Sequence, residues 1–185
     1  LAGRQSGRKI ALPYGIEAKN TYENLIIRKC SKVDEGFAWT PQRIEIGKNM
    51  EIPLLDGKKL VAKTIYRNDV SETEWKNLRN QAANLKNIYT KLFDCGTIKD
   101  TLYVRKPESE DYFIMNEKGN RKKLSRYFID RKIPEEVRRN SIVVARGHEV
   151  LWLIGERRCE NYKIQDDTEQ IIMISCEGEN DGQAY

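Results

Sequence analysis

The sequence predicts an α+β protein built from two small β-rich modules, the second a sheet or sandwich with short basic helices. Three observations predict it. Short β-branched runs separated by turn residues fill most of the first hundred positions; one capped helical pattern interrupts them; and near-continuous apolar runs follow residue 140.

In chain order, Lys9 to Leu12 is a short apolar step stopped by Pro13 and Gly15, and Asn24 to Cys30 is a β-branched run. Phe37 to Ile46 alternates, placing Ile44 and Ile46 on one face. Met50 to Leu55 and Leu60 to Tyr66 flank Asp56-Gly57, a strong hairpin signal. Ser71-Glu72-Thr73-Glu74 is a capping box: the Ser71 hydroxyl can accept from the third helical amide while Glu74 reaches back to the Ser71 amide. Trp75, Leu78, Ala82 and Leu85 follow at helical spacing, so a helix is expected near 72–85. From Asn87 to Phe93 the pattern fits helix or strand equally, and Gly96 then breaks the chain.

Leu102 to Arg105 and Tyr112 to Met115 read as strands, followed by a turn from Asn116 to Asn120. Lys122 to Ile129 reads as a short helix, because Leu124, Tyr127 and Phe128 fall at i, i+3 and i+4 and leave Lys122, Lys123 and Arg126 outside. Pro134 stops it, and the following residues to Arg139 read as a second short helix with acids first and arginines last. Ser141 to Ala145, Val150 to Ile154 and Gln170 to Ser175 are expected as core strands beneath these helices. The expected modules are 1–100 and 101–175, with 176–185 as an acidic, solvated tail.

Hydrophobic residues make up 39% of the 185 positions and charged residues 33%, which indicates a globular core under a crowded polar surface. No apolar run is long enough to span a bilayer, so no membrane is expected and the cytoplasm is the expected location. The chain starts at Leu1 inside a polar segment, which suggests a piece of something longer. Cys30, Cys95, Cys159 and Cys176 are far apart, so reduced thiols are expected and zinc is not. His148, the single histidine, follows Gly147 and is expected in a turn.

Charge is distributed unevenly. Residues 121–139 hold eight cations (Arg121, Lys122, Lys123, Arg126, Arg131, Lys132, Arg138, Arg139) against three acids (Asp130, Glu135, Glu136), a surplus equal to the +5 of the whole chain. A local patch of that size fits phosphate, since neutralising phosphates releases counterions and gives salt-dependent affinity. A merely solvated helix face and an acidic protein partner are the alternatives. Catalysis has no comparable support: the chain lacks a G-x-x-x-x-G-K-[ST] loop, a G-x-S-x-G elbow and a histidine near a nucleophile. Ser6-Gly7 lacks the further glycine of a phosphate-binding turn, and Asp166-Asp167 reads as a turn rather than a cation site. No catalytic, metal or cofactor residues are assigned.

The ordered residues Lys122, Lys123, Leu124, Tyr127, Phe128, Asp130, Arg131, Lys132, Ile133, Pro134 and Arg138, then Trp152, Gly155, Arg157 and Lys163, resemble the C-terminal domain of bacterial tRNA(Ile)-lysidine synthetases. Ser6 to Ile10, Leu12-Pro13-Tyr14-Gly15 and Tyr22 before Leu25-Ile26-Ile27 are similar to that family's middle domain. The family pattern Arg-x-Arg-x-x-Gly-Asp is only partly kept, as Arg105-Lys106-Pro107-Glu108-Ser109-Glu110-Asp111, and Ala11 stands where an Asp is common.

The resemblance implies a β-rich fold related to one in phenylalanyl-tRNA synthetase. It also implies a parent ligase that uses ATP to adenylate the first anticodon cytidine of an isoleucine tRNA and then attaches lysine, changing the codon read from AUG to AUA. The S-G-G-x-D-S loop of the catalytic domain is absent here. The chain is therefore expected to recognise tRNA, at the acceptor stem, beside the N-terminal catalytic domain of the same polypeptide. The expected RNA-binding residues are Lys122, Lys123, Arg126, Arg131, Lys132, Arg138, Arg139, Arg157 and Lys163. Leu124, Tyr127, Phe128, Asp130, Pro134, Trp152 and Gly155 are expected to support them. The alternative function is a protein-interaction or dimerisation module with a basic face, so a homodimer is the alternative partner.

Overall fold

The computed structural model describes residues 9–12, 16–20, 25–29, 40–54, 57–83 and 87–178. The expectations for Ser6-Gly7, Cys30, Phe37, Asp56, Leu85 and the end of the tail lie outside these residues.

The chain divides into two compact units, Leu1–Trp39 and Thr40–Tyr185. In the first, β1 (Lys9–Leu12), β2 (Ile16–Asn20) and β3 (Leu25–Lys29) form an antiparallel meander with β2 in the middle. The outer strands were expected. The middle one was not, because Ile16 is the single β-branched residue in IEAKN and the pairing comes from its neighbours.

The second unit begins with β4 (Gln42–Ile44), β5 (Met50–Pro53) and β6 (Lys59–Tyr66), the last two paired antiparallel across the expected hairpin. α1 (Glu72–Ala83) starts at the capping box: the Ser71 amide donates to Glu74 Oε2 at 2.9 Å and the Glu74 amide donates to Ser71 Oγ at 3.3 Å. β7 (Thr90–Asp94), β8 (Leu102–Arg105), β9 (Tyr112–Ile114) and β10 (Arg121–Lys123) follow. Two short helices, α2 (Leu124–Asp130) and α3 (Glu135–Asn140), precede β11 (Val143–Arg146), β12 (Glu149–Leu153) and β13 (Gln170–Glu177).

These strands make a six-stranded sheet, ordered β10-β9-β12-β11-β8-β4, and a four-stranded sheet, ordered β5-β6-β13-β7. Trp75 of α1 packs with Leu92 of β7 and Ile171 of β13, joined by Ile65, Leu78 and Ala82. The six-stranded sheet buries Leu102, Val104, Phe113, Val143, Val144, Trp152 and Leu153, and Leu124, Tyr127 and Phe128 of α2 are buried as well. His148 lies in the turn between β11 and β12, as expected, beside Gly147 at φ +53°.

Three expectations are corrected. The boundary near residue 100 does not separate the sheets, because β4 pairs with β8 and β13 pairs with both β6 and β7. Gly96 marks a turn, and no local window contains a ladder joining residue 60 to residue 176. The tail does not start at Cys176: that residue pairs with Leu60, is buried, and Glu177 pairs with Lys59. Finally, Lys122 and Lys123 belong to a strand rather than a helix, opposite Phe113 and Tyr112. The helix starts at Leu124, whose amide donates to the Asp111 carbonyl at 2.7 Å and turns the chain out of the ladder.

Candidate nucleic-acid interface

A cleft of about 670 Å³ opens in the second unit. One part of its wall comes from α1 and β7, through Arg79, Ala82, Ala83 and Lys91; another comes from Lys122, Tyr127 and Arg131. The segment after β12 supplies Glu156, Arg157, Arg158, Cys159, Glu160 and Lys163. Seven cationic side chains thus face two carboxylates.

Backbone geometry after β12 explains how Arg157 and Arg158 arrive there. Gly155 adopts φ +78°, a left-handed conformation that favours glycine, and the chain doubles back on itself. The Leu153 amide donates to the Arg157 carbonyl at 3.0 Å, the Cys159 amide donates to the Leu151 carbonyl at 2.7 Å, and Trp152 bridges to Arg158. Gly155 and Trp152 thus take part in this return. Trp152 is fully buried, and Phe113 meets Tyr127 edge to face at 5.3 Å, which seats α2 on the sheet.

Four of the nine expected cations line the cleft: Lys122, Arg131, Arg157 and Lys163. Lys122 is held by Asp130 at 2.7 Å, and Asp130 also pairs with Arg126 at 3.0 Å. Asp130 thus pairs with both cations, and Lys122 is the shorter contact. The hydrogen bond from Lys122 and the charge of Arg126 hold its carboxyl below the ordinary range, against a smaller opposing effect of desolvation. Lys163 pairs with Glu160 and lies 3.6 Å from Glu117; the Glu160 contact raises its pKa.

Arg131 and Arg157 are different. Among the described residues neither makes an ion pair with a carboxylate; Arg157 donates to the Arg158 carbonyl at 3.1 Å and lies 5.7 Å from the Phe113 ring centre.

The other five expected cations do not line the cleft. Lys123 pairs with Glu110 at 3.3 Å, Arg139 pairs with Glu135, and Arg138 donates to the Ile133 carbonyl at 2.6 Å while lying over Phe128. Lys132 is exposed at φ +53°, between the two helices. The Ile133 amide donates to the Phe128 carbonyl and the Lys132 amide to that of Ile129, the paired bonds of a Schellman stop. The break between the helices thus rests on Lys132 as well as on Pro134, which caps α3.

Three cations of the cleft were missed. Arg79 pairs with Asp166 across 87 residues of chain. Arg158 is 8% exposed, donates to the carbonyls of Leu92, Cys159 and Asn161, and stacks over Phe93 at 4.9 Å. Lys91 is 5% exposed, and burial and the Arg158 charge both lower its pKa. In TKLFD Lys91 directly precedes Leu92 and Phe93, and nothing in that local pattern marks it as buried. Burial also pushes the Cys159 thiol up to about 12, so it is a protonated, unreactive wall residue.

A second cluster lies at Glu108, Asp111 and His148, whose ligand atoms come within 4.8 Å of one another. Asp111 already accepts two bonds from Arg105, at 2.7 and 2.8 Å, and one from the Glu108 amide. The guanidinium is the resident cation there. Arg105 and Asp111, the ends of the loop that departs from the family pattern, are thus committed to each other rather than to a ligand.

Comparison with known proteins places these features. Residues 102–176 match the family model described as "TilS substrate C-terminal domain". The tRNA(Ile)-lysidine synthase of Caldanaerobacter subterraneus is 31% identical over 175 residues, covering 94% of this chain and 34% of that protein. That of Clostridium tetani is 28% identical over 180 residues, covering 96% of this chain and 36% of that protein. The chain thus spans about a third of the length of these relatives. A solved structure, "Crystal structure of TILS C-terminal domain", superposes with a TM-score of 0.55 at 18% identity, over 76% of this chain and 99% of that one. The cleft's β10–α2 wall and its β12 return both fall inside the matched segment, and the chain belongs to the tRNA(Ile)-lysidine synthase family, with its TilS C-terminal domain at residues 102–176.

Proposed function

We propose that this chain is the tRNA-recognition region of a tRNA(Ile)-lysidine synthase and that the cleft with its basic rim is the contact surface. The observation that carries this reading is the surplus of cations around the cleft, with Arg131 and Arg157 making no carboxylate ion pair among the described residues. Cations already held by carboxylates gain less from a phosphate, because the existing pair must first be exchanged. Arg131 and Arg157 are therefore the cleft contacts of greatest effect; Lys122, Lys123, Arg126, Arg139 and Lys163, each held by an acid, add a weaker field, as do Lys132 and Arg138, which lie outside the cleft. The acceptor stem suits such a surface, since backbone contacts position a duplex without reading its sequence. On this reading adenylation and lysine attachment, with their ATP and lysine, belong to an N-terminal catalytic domain of the same polypeptide, and the protein works in the cytoplasm.

Binding of an isoleucine tRNA to the chain, measured by fluorescence anisotropy across a salt series, tests this. The double variant Arg131→Ala/Arg157→Ala should flatten the log–log salt slope by about 2 units, near 0.9 for each phosphate that is no longer neutralised. An unchanged slope would remove both arginines from the interface.

A protein-interaction role draws support from Ile129 and Val137, which are 53% and 51% exposed on α2 and α3. Self-association in the ultracentrifuge that is abolished by Ile129→Ser/Val137→Ser and indifferent to tRNA would favour that second reading.

A further inference from the structure

We propose that the inner part of this cleft takes a single, unpaired nucleotide, with its phosphate on Lys91 and beside Arg158. The inference rests on the tRNA-binding reading and narrows it from a charged surface to a defined subsite. Lys91 lines the cleft, and among the described residues its ammonium has neither a hydrogen-bond nor an ion-pair partner. The stem of Lys91 is packed away while its ammonium faces the cleft, and an anion bound there would offset the cost of that partial desolvation. Arg158 does not supply one. It is itself a buried cation whose donor bonds end on backbone carbonyls.

Lys91 and Phe93 share a face of β7, and Arg158 stacks on Phe93, so the two cations form one positive corner. Burial, and after it the Arg158 charge, depresses the proton affinity of Lys91, a penalty that a bound phosphate would relieve.

The shape decides between a duplex and a single nucleotide. Phosphates of a base-paired helix lie on the outside of a wide cylinder and reach exposed side chains such as Arg131. Lys91, only 5% exposed, offers such a cylinder far less than Arg131 does. An unpaired nucleotide can reach it, and the cleft's volume falls in the range that encloses a small ligand. Ala82, Met115, Tyr127 and Ile164 give it an apolar wall for a base, with Tyr127 held through its hydroxyl, which donates to Glu156 at 3.2 Å. The same chemistry is offered by a strand end of RNA and by a free mononucleotide.

The test is NMR titration of the isotopically labelled chain with AMP, inorganic phosphate, a single-stranded trinucleotide and a blunt RNA duplex, each alone and in competition. AMP or the trinucleotide should shift the amides of Lys91 and Arg158. Lys91→Met should weaken that binding at least about tenfold, as for loss of a hydrogen bond to a charged group, while Lys91→Arg should retain most of it. Binding by the trinucleotide alone identifies an RNA end as the source; binding by AMP as well extends the site to free nucleotides. Amides that stay still with all of these at millimolar concentration overturn the proposal, as does equal binding by Lys91→Met. Displacement of AMP by the duplex as effectively as by the trinucleotide also overturns it. Each of these failures leaves the salt-dependent tRNA contact of Arg131 and Arg157 to stand or fall on its own measurement.

Discussion

Replacing Lys132 by glycine should stabilise the protein while weakening its hold on tRNA. Lys132 sits at φ +53° in the Schellman stop of α2, the position where glycine is usual because a Cβ crowds the following carbonyl. The left-handed conformation costs an L-residue roughly 1–2 kcal/mol. Glycine relieves this but brings more freedom to the unfolded chain, offsetting about 0.5–1 kcal/mol. The expected net gain is about 0.5–1 kcal/mol, or roughly 1–4 °C in Tm for a chain of this length. Lys132 is exposed, so its removal costs little packing.

Lys132→Ala is the matched control. It removes the same charge but keeps the strain, so its stability should stay near that of the unaltered chain. Urea denaturation of the three proteins, with the m-value checked for constancy, reads the difference. Both variants should lose about one unit of tRNA salt slope if the lysine meets a phosphate. A glycine variant no more stable than the alanine variant would refute the strain argument. Greater stability with unchanged tRNA binding would keep the strain and remove Lys132 from the interface.

Other expectations follow from the ion pairs. Asp111→Ala strands the buried Arg105 without its two-bond partner and should cost about 3–5 kcal/mol in urea denaturation, while Glu108→Ala, an exposed partner, should cost far less. Asp130 has a folded pKa below its ordinary value of 3.8, so its contribution to stability is complete above that value and is lost as pH falls through the lower, folded one. Carboxyl NMR should show the Asp130 titration moving up toward 3.8 in Lys122→Met; an unmoved titration would assign the shift to Arg126 alone.

How much of this was legible in the sequence depends on the range of the interaction involved. The capping box at Ser71 and Glu74 is a contact between residues three apart, and it was read correctly along with the Trp75, Leu78 and Ala82 face. The burial of Leu124, Tyr127 and Phe128 was legible for the same reason. Lys122 and Lys123 were misplaced because their strand is decided by pairing with Tyr112 and Phe113, and RKK carries no periodicity that distinguishes a ladder from the start of a helix. The module boundary failed on a longer range still, since β13 closes a sheet with strands about eighty to a hundred and ten residues earlier.

The cleft shows why a count of charges along the chain locates a site only in part. The dense stretch at 121–139 contributes Lys122 and Arg131 to it, yet most of that stretch is answered by neighbouring acids or turned away. Sparse cations matter more. Lys91 stands alone between threonine and leucine, and Arg158 lies between Glu156 and Glu160, whose two acids offset the two arginines they enclose; neither stands out as a dense run of charge. What makes them strong candidates for a phosphate is the desolvation of β7 against the return after Gly155, an effect of packing between segments more than sixty residues apart. Exposed lysines and arginines set the salt dependence of an encounter, whereas a buried cation without a counter-ion sets its geometry. If both kinds act here, salt should weaken the capture of tRNA by this chain far more than it weakens the binding of a mononucleotide.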